Sequence, residues 1–342
     1  MNVLRVGVIG YGQIGRHHAR NLAAIPGVHF AGVAEYDAGA RAEARERGFE
    51  VFESASELLA QHLDAVVVAV PTGYHEAVAA ECIDAGCSVL VEKPLAPTLG
   101  AAKRIIARAA SAGVLLMVGY VERYNPAIVA TREFLESESL GDLISVSARR
   151  VGVMPPRIKD ANVIVDIGVH DIDVVAFITN ARLNLVSARG GMAVLEDRID
   201  FATLMLDAAG AVVTIDANWI TPVKIRELSI TGTHGFCHVD YITQSARFAA
   251  GQSFEVPADY ESLLAQYERG TMVDLPVVKR EPLAVELEAF INAIRGLGEL
   301  PDPALALASL RIAEEASAMI GSVRPLAARR LAPAPVTAAR RA

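Results

Sequence analysis

Three short stretches of the chain carry residue types that do chemistry. The first is Gly10-Tyr11-Gly12-Gln13-Ile14-Gly15, with Glu35 twenty residues beyond its last glycine. Glycines at that spacing let the backbone turn tightly, lie bare against a pyrophosphate and pack closely against the next helix. Amides at the helix start, with the positive end of its dipole, hold the anion. A carboxylate at position 35 is placed to accept from a ribose 2′-hydroxyl. The second stretch is Glu92-Lys93-Pro94, whose ammonium can stabilise an alkoxide or relay a proton. In the third, Asp166, His170 and Asp173 stand at i, i+4 and i+7, so a helix shows all three on one face. An imidazole between carboxylates suits a general base. The competing readings are a surface lysine in a turn, and an Asp166 cap beside a satisfied core histidine.

The elements around these stretches dictate where they sit. Leu4–Ile9 reads as a strand running into the glycines, with a helix from Gln13, and Val28–Glu35 as the next strand. Strand and helix signals alternate through about the first 120 residues, and the strands are continuous β-branched runs. Such runs are expected in a parallel sheet covered on both faces. The fold class is therefore α/β, opening with a doubly wound Rossmann domain. Ligands of such sheets bind beyond the carboxyl ends of the strands, which places Lys93 at the mouth of the crevice. A 2′-phosphate beside Glu35 and Asp37 would meet two carboxylates, and the first basic residue is Arg41, which would have to swing back. NAD is the expected cofactor.

After Tyr120 the pattern changes. A helix from Pro126 to Glu136, a strand from Leu143, a Pro-rich loop and a helix over 167–179 are expected. Period-2 runs at 184–194, 200–206, 211–218, 226–231, 235–241 and 245–249 predict antiparallel strands in one large open sheet. Helices over 282–295 and 303–320 are expected to return over the first domain. The expected division is 1–122 for cofactor, 123–325 for substrate and oligomerisation, and 326–342 as a flexible Ala/Pro-rich tail.

Composition narrows the function. The 342 residues suit two domains, with 52% apolar and 21% charged side chains. A net charge of −8 leaves no basic field for nucleic acid, and no apolar run reaches membrane-spanning length. The N-terminus passes directly into a strand without a leader, so a cytoplasmic location is expected. Cys82, Cys87 and Cys237 show no metal-binding spacing and are expected as buried thiols. No distant third ligand stands out to make His170 a metal site. The open sheet face is expected to expose a large apolar patch and to make a homodimer or homotetramer.

Taken in order, Gly10-Tyr-Gly12-Gln-Ile-Gly15, Pro71-Thr72-Gly-Tyr-His75, Glu92-Lys93-Pro94 and Asp166-Ile-Gly-Val-His170 resemble the Gfo/Idh/MocA family of sugar and cyclitol oxidoreductases, over roughly residues 3–320. The resemblance implies that Lys93 and His170 are catalytic and that Asp166 holds a substrate hydroxyl. It also implies that Pro71, Thr72, His75 and Glu92 line the cofactor. Further segments are similar to the branch containing UDP-N-acetylglucosamine 3-dehydrogenases: 118–126, 155–160, 218–226 and 239–244. There Arg123, Tyr124 and Asn125 would lie near the sugar, and Trp219 would be a sugar platform or a core residue. Arg157, Lys159, Lys224 and Arg226 would meet a diphosphate or carboxylate. The implied substrate is a small sugar or nucleotide sugar. A free sugar, a cyclitol or an antibiotic intermediate is an alternative, as are an NAD-dependent glycosidase and a non-catalytic NAD sensor.

Overall fold

Alternating strand and helix build the first half of the chain in a computed structural model that describes residues 3–154, 161–251, 259, 261 and 272–321. Strands β1 (Leu4–Ile9), β2 (Val28–Ala34), β3 (Val51–Phe52), β4 (Ala65–Val68), β5 (Ser88–Glu92) and β6 (Leu116–Gly119) form a sheet in the order 3-2-1-4-5-6. Every neighbouring pair is parallel. Helices α1 (Gln13–Ala24), α2 (Ala38–Glu46), α3 (Ala55–Leu59), α4 (His75–Asp84) and α5 (Leu99–Ala112) make the crossovers. Val6, Val8, Val66, Val67, Val68, Val89, Leu90 and Val91 are wholly buried, as strands covered on both faces must be. Strand order reverses between β1 and β4, and that switch point opens the ligand crevice.

A 3₁₀ turn at Val121–Tyr124 leads into α6 (Pro126–Glu136), and α7 (Val169–Thr179) covers the second sheet. That sheet holds β7 (Leu143–Val151), β8 (Leu183–Gly191), β9 (Phe201–Ala208), β10 (Ala211–Asn218), β11 (Ile225–Gly232), β12 (Gly235–Asp240), β13 (Ser245–Ala250) and β14 (Val273–Asp274). Their order is 14-13-12-11-7-10-9-8. One expectation fails here: β7 and β10 run parallel, from Ser145 opposite Val212 to Val151 opposite Asn218. Period-2 alternation reports one covered face and is blind to strand direction. The remaining pairs are antiparallel.

The open face is also less apolar than expected. Ser145, Ser147 and Arg149 alternate with the buried Val146, Ala148 and Arg150, and Thr203, Thr214, Asp216, Glu227 and Ser229 continue that face. Arg149 and Asp216 pair across it at 3.6 Å. Only scattered apolar side chains such as Met205 and Val212 remain exposed there.

Helix α8 (Pro282–Ile294) packs Leu283, Leu287, Phe290 and Ile291 among Val6, Val8 and Leu22 of the first sheet's cluster. Helix α9 (Ala304–Gly321) returns over the first domain as expected and also packs on the second. Its Leu310 joins a first-sheet cluster, while Ile312, Ala313, Ala316 and Ile320 pack with the second. Cys82, Cys87 and Cys237 are free and buried, and burial pushes the Cys87 thiol up to about 11. No helix among the described residues is long and apolar enough to cross a membrane.

Candidate active site

The glycine turn after β1 is shaped by three different constraints. Gly10 holds φ +97°, and a Cβ there would lie 2.6 Å from the Ala69 carbonyl oxygen. A Cβ on Gly15 would lie 2.0 Å from the Gly10 carbonyl oxygen, so only glycine lets α1 start so close to the strand. Nothing stands within 4 Å of a Cβ on Gly12, which opens α1, and Gln13 and Ile14 beside it are exposed. The helix start is thus bare on one side, the cradle a pyrophosphate requires. Tyr11 is buried, and its amide donates to Glu35 Oε2 at 2.7 Å while the Asp37 amide donates to Oε1 at 2.9 Å. Arg41 donates to the carbonyls of Glu35 and Tyr36 and pairs with Glu53 at 3.1 Å. Its guanidinium is therefore already engaged by three acceptors. These residues fit NAD.

Along the crevice rim, Pro71 is exposed and Thr72 half-buried. His75, by contrast, is buried, and its ring nitrogens lie 2.9 Å from the carbonyl oxygens of Val70 and Pro94. It ties together the loops after β4 and β5. Glu92 likewise serves the frame: Oε1 lies 2.7 Å from Nε2 of the buried His18, and Oε2 accepts from the Lys93 amide at 3.2 Å.

Lys93 crosses from the first sheet to the second domain. Its ammonium donates to the Asp166 carbonyl at 2.6 Å and to Asp166 Oδ1 at 3.3 Å. Asp166 lies in a π turn, Ile164–Gly168, immediately before α7, and Asn162 caps that turn with its side chain accepting from Ile164 and Val165. The wider turn resets Asp166 against α7, whereas His170 and Asp173 both lie within the regular helix. Asp173 takes a buried, two-point pair with Arg123 at 2.6 and 2.5 Å.

Among the described residues no hydrogen bond or ion pair joins His170 to a carboxylate. Its Nδ1 is buried without a partner among the described residues, and the Tyr120 ring stands edge-on to it at 6.5 Å. Burial first, then the charges of Lys93, Arg150 and Arg226, push the imidazole well below the usual histidine range. The ring is neutral at pH 7 for that reason, ready to accept a proton.

Several expected sugar contacts turn out to be framework. Arg123 is buried against Asp173, Tyr120 and Phe177. Asn125 caps α6 by accepting from the Ala127 amide and donates to the Tyr241 carbonyl. Tyr124 is half-buried and packs in the cluster that holds α8. Trp219 is 6% exposed within the second core, so it is not a platform. Lys224 is exposed and Arg226 half-buried at the start of β11. Arg157 and Lys159 lie outside the described residues.

Sequence reasoning missed the pins beneath His170. Arg150 is fully enclosed; it grips both oxygens of Asp171 at 2.9 Å, reaches Glu122 Oε1 at 2.8 Å and lies over the Tyr241 ring. That grip sets the angle of α7 from β7. An arginine in a β-run was the available signal, but its partners are remote in sequence.

Fold and site together define an NAD-binding oxidoreductase of CH–OH groups. Residues 4–120 match the oxidoreductase family model with an NAD-binding Rossmann fold, and residues 128–238 match the Gfo/Idh/MocA C-terminal domain. The chain belongs to the Gfo/Idh/MocA family. It is 33% identical to the UDP-N-acetylglucosamine 3-dehydrogenase of Acidithiobacillus ferrooxidans, over 85% of this chain and 88% of that one. With inositol 2-dehydrogenase 1 of Saccharopolyspora erythraea the identity is 30%, over 78% and 83%. Among solved structures, the A. ferrooxidans 3-dehydrogenase superposes with a TM-score of 0.80, covering 94% of this chain and 98% of its own. GenD2 from gentamicin A biosynthesis, in complex with NAD, superposes at 0.78 with 26% identity, covering 95% and 96%.

Proposed function

We propose that this enzyme moves hydride between NAD and C3 of a sugar, and that the sugar is a nucleotide sugar such as UDP-N-acetylglucosamine. The observation that carries the reading is Lys93 reaching across the cleft to Asp166 beside a neutral His170. NAD held in the glycine cradle supplies the hydride acceptor. The chain's own work is proton handling and orientation. Nε2 of His170 takes the proton from the reacting hydroxyl. The Lys93 ammonium donates to the same oxygen and steadies its growing negative charge, while the Asp166 carboxylate accepts from the sugar and sets its pose. Ketosugar reduction follows the same path in reverse. The match to the 3-dehydrogenase, 33% over 85% of this chain, supports a nucleotide sugar; inositol dehydrogenases match at 30% over 78% and at 34% over 56%.

The test is nicotinamide absorbance with NAD and UDP-N-acetylglucosamine, with myo-inositol in parallel and product mass spectrometry. A 3-keto nucleotide sugar formed with matching NADH is the expected result. Turnover of myo-inositol alone overturns the substrate assignment. We also propose a homodimer or homotetramer built on the open face of the second sheet, with Met205 and Val212 in the contact. Light scattering of the protein and of Met205→Glu checks it.

A further inference from the structure

Behind the loop that carries Lys93, three titratable side chains share one enclosure. His18 of α1 and Glu286 of α8 are wholly buried, and Glu92 ends β5. Helix α8 packs on α1 and on the 3₁₀ turn at 121–124, which brings Glu286 among them. Both Glu92 oxygens are engaged: Oε1 lies 2.7 Å from His18 Nε2, and Oε2 accepts from the Lys93 amide at 3.2 Å. Arg123 is taken as well, by its two-point pair with Asp173. Glu286 is left with no hydrogen-bond partner on either carboxyl oxygen among the described residues, and His18 Nδ1 is equally bare. Tyr124 completes the titratable groups around the carboxyl. An ionised carboxylate enclosed in this way is strongly disfavoured, so Glu286 holds a proton. Burial first, then the charge of Glu92, raise its carboxyl well above the usual range; Arg123 opposes them and Asp173 adds to them.

A proton held against a neighbouring carboxylate is released when a positive charge arrives. The oxidised nicotinamide brings such a charge, and the reduced ring does not. Glu92 stands at the carboxyl end of β5, the side of a parallel sheet on which ligands bind. We propose that Glu286 is a proton store read by the redox state of the cofactor, giving up its proton when NAD+ binds and keeping it when NADH binds. The link is electrostatic and runs through Glu92. A cationic ring offsets the charge of Glu92, and the second carboxylate can then form behind it. Once hydride has neutralised the ring, Glu286 takes a proton back. Glu286 touches no substrate; it is a positioning residue for the cofactor's charge. A binding step that releases a proton strengthens as pH rises, by at most about tenfold per pH unit for one proton. NAD+ affinity should therefore climb with pH while NADH affinity stays level.

The inference rests on NAD binding and not on the identity of the sugar, so failure of the substrate assignment leaves it standing. Its test needs no turnover. NAD+ and NADH are titrated calorimetrically into wild type, Glu286→Gln and His18→Asn, in phosphate and in Tris at pH 7. These buffers differ in heat of ionisation, so the difference between them counts the protons exchanged. Wild type is expected to release more protons with NAD+ than with NADH, and Glu286→Gln to release the same number with both. Infrared difference spectra should show the carbonyl stretch of a protonated carboxyl lost on NAD+ binding in the wild type and no such change in Glu286→Gln. Equal release with both cofactors in the wild type overturns the proposal without any variant. So does a release that survives in Glu286→Gln; its loss in His18→Asn would then place the proton on the imidazole.

Discussion

At the residue scale, the site divides into groups that meet the substrate and groups that hold them. Lys93→Met and His170→Ala should each lower kcat by about 10²–10⁴-fold, the range for losing a positioned acid or base. Neither side chain belongs to the glycine cradle, so NAD affinity, read by fluorescence titration, should stay near wild type. Retained turnover in either variant removes that residue from the mechanism. The pH dependence follows from the environment of His170. Its imidazole is pushed well below 6.5 in the free enzyme, and it works as a base only when neutral. The acid limb of kcat/KM should therefore fall below pH 6.5, whereas an ordinary exposed histidine would lose activity near 6.5. A limb at or above that value would show that the surrounding cations do not govern this base.

Elements are tied to one another by buried charge. Arg123, from the 3₁₀ turn, and Asp173, from α7, form a pair enclosed by Tyr120 and Phe177. Removing the guanidinium alone strands a buried carboxylate, so Arg123→Met should cost about 3–5 kcal/mol in denaturant unfolding. Adding Asp173→Leu should recover most of that loss, which a simple packing defect would not. Helix α8 presents a different case. Glu286 is fully buried, and neither carboxyl oxygen has a partner among the described residues. Burial first, then the charge of Glu92, push its carboxyl well above the usual range. With the folded value raised, its contribution is whole below the unfolded value, about 4.5, and drains away as pH rises through the folded one. Glu286→Gln should remove that part of the pH dependence. Its Tm should exceed the wild type's at pH 8 and converge with it at pH 4; a constant gap would show the carboxyl carries no such linkage.

Across the whole molecule, α9 welds the two sheets into one cooperative body. Leu310 packs with the first sheet's cluster, Ile312 to Ile320 with the second, and Glu314 accepts from the Leu99 amide at the start of α5. Calorimetry should therefore show one unfolding transition, and NAD should move all of it. At one hundred times its Kd the cofactor adds about 2.7 kcal/mol. Two separated transitions, with only one responding to NAD, would mean that the weld is weak.

The Rossmann half was legible in the chain alone, and so were the residues now proposed to do the chemistry. Turn glycines, continuous β-branched strands and a carboxylate at a strand end are local signals, because each records a constraint on its own stretch of backbone. Lys93 was legible for the same reason, since a strand end in a parallel sheet dictates where its side chain goes. What His170 touches was not legible. Its carboxylate neighbours were assigned by helical spacing, which the π turn at Ile164–Gly168 alters for Asp166 alone. Asp173 went to Arg123 and Asp171 to Arg150, partners fifty and twenty-one residues away. The parallel β7–β10 pair and the division of α9 between two cores were hidden alike. Burial alternation tells which face of an element is covered, and only the tertiary structure decides by what; here that choice surrounds a base with cations where the spacing alone promised acids.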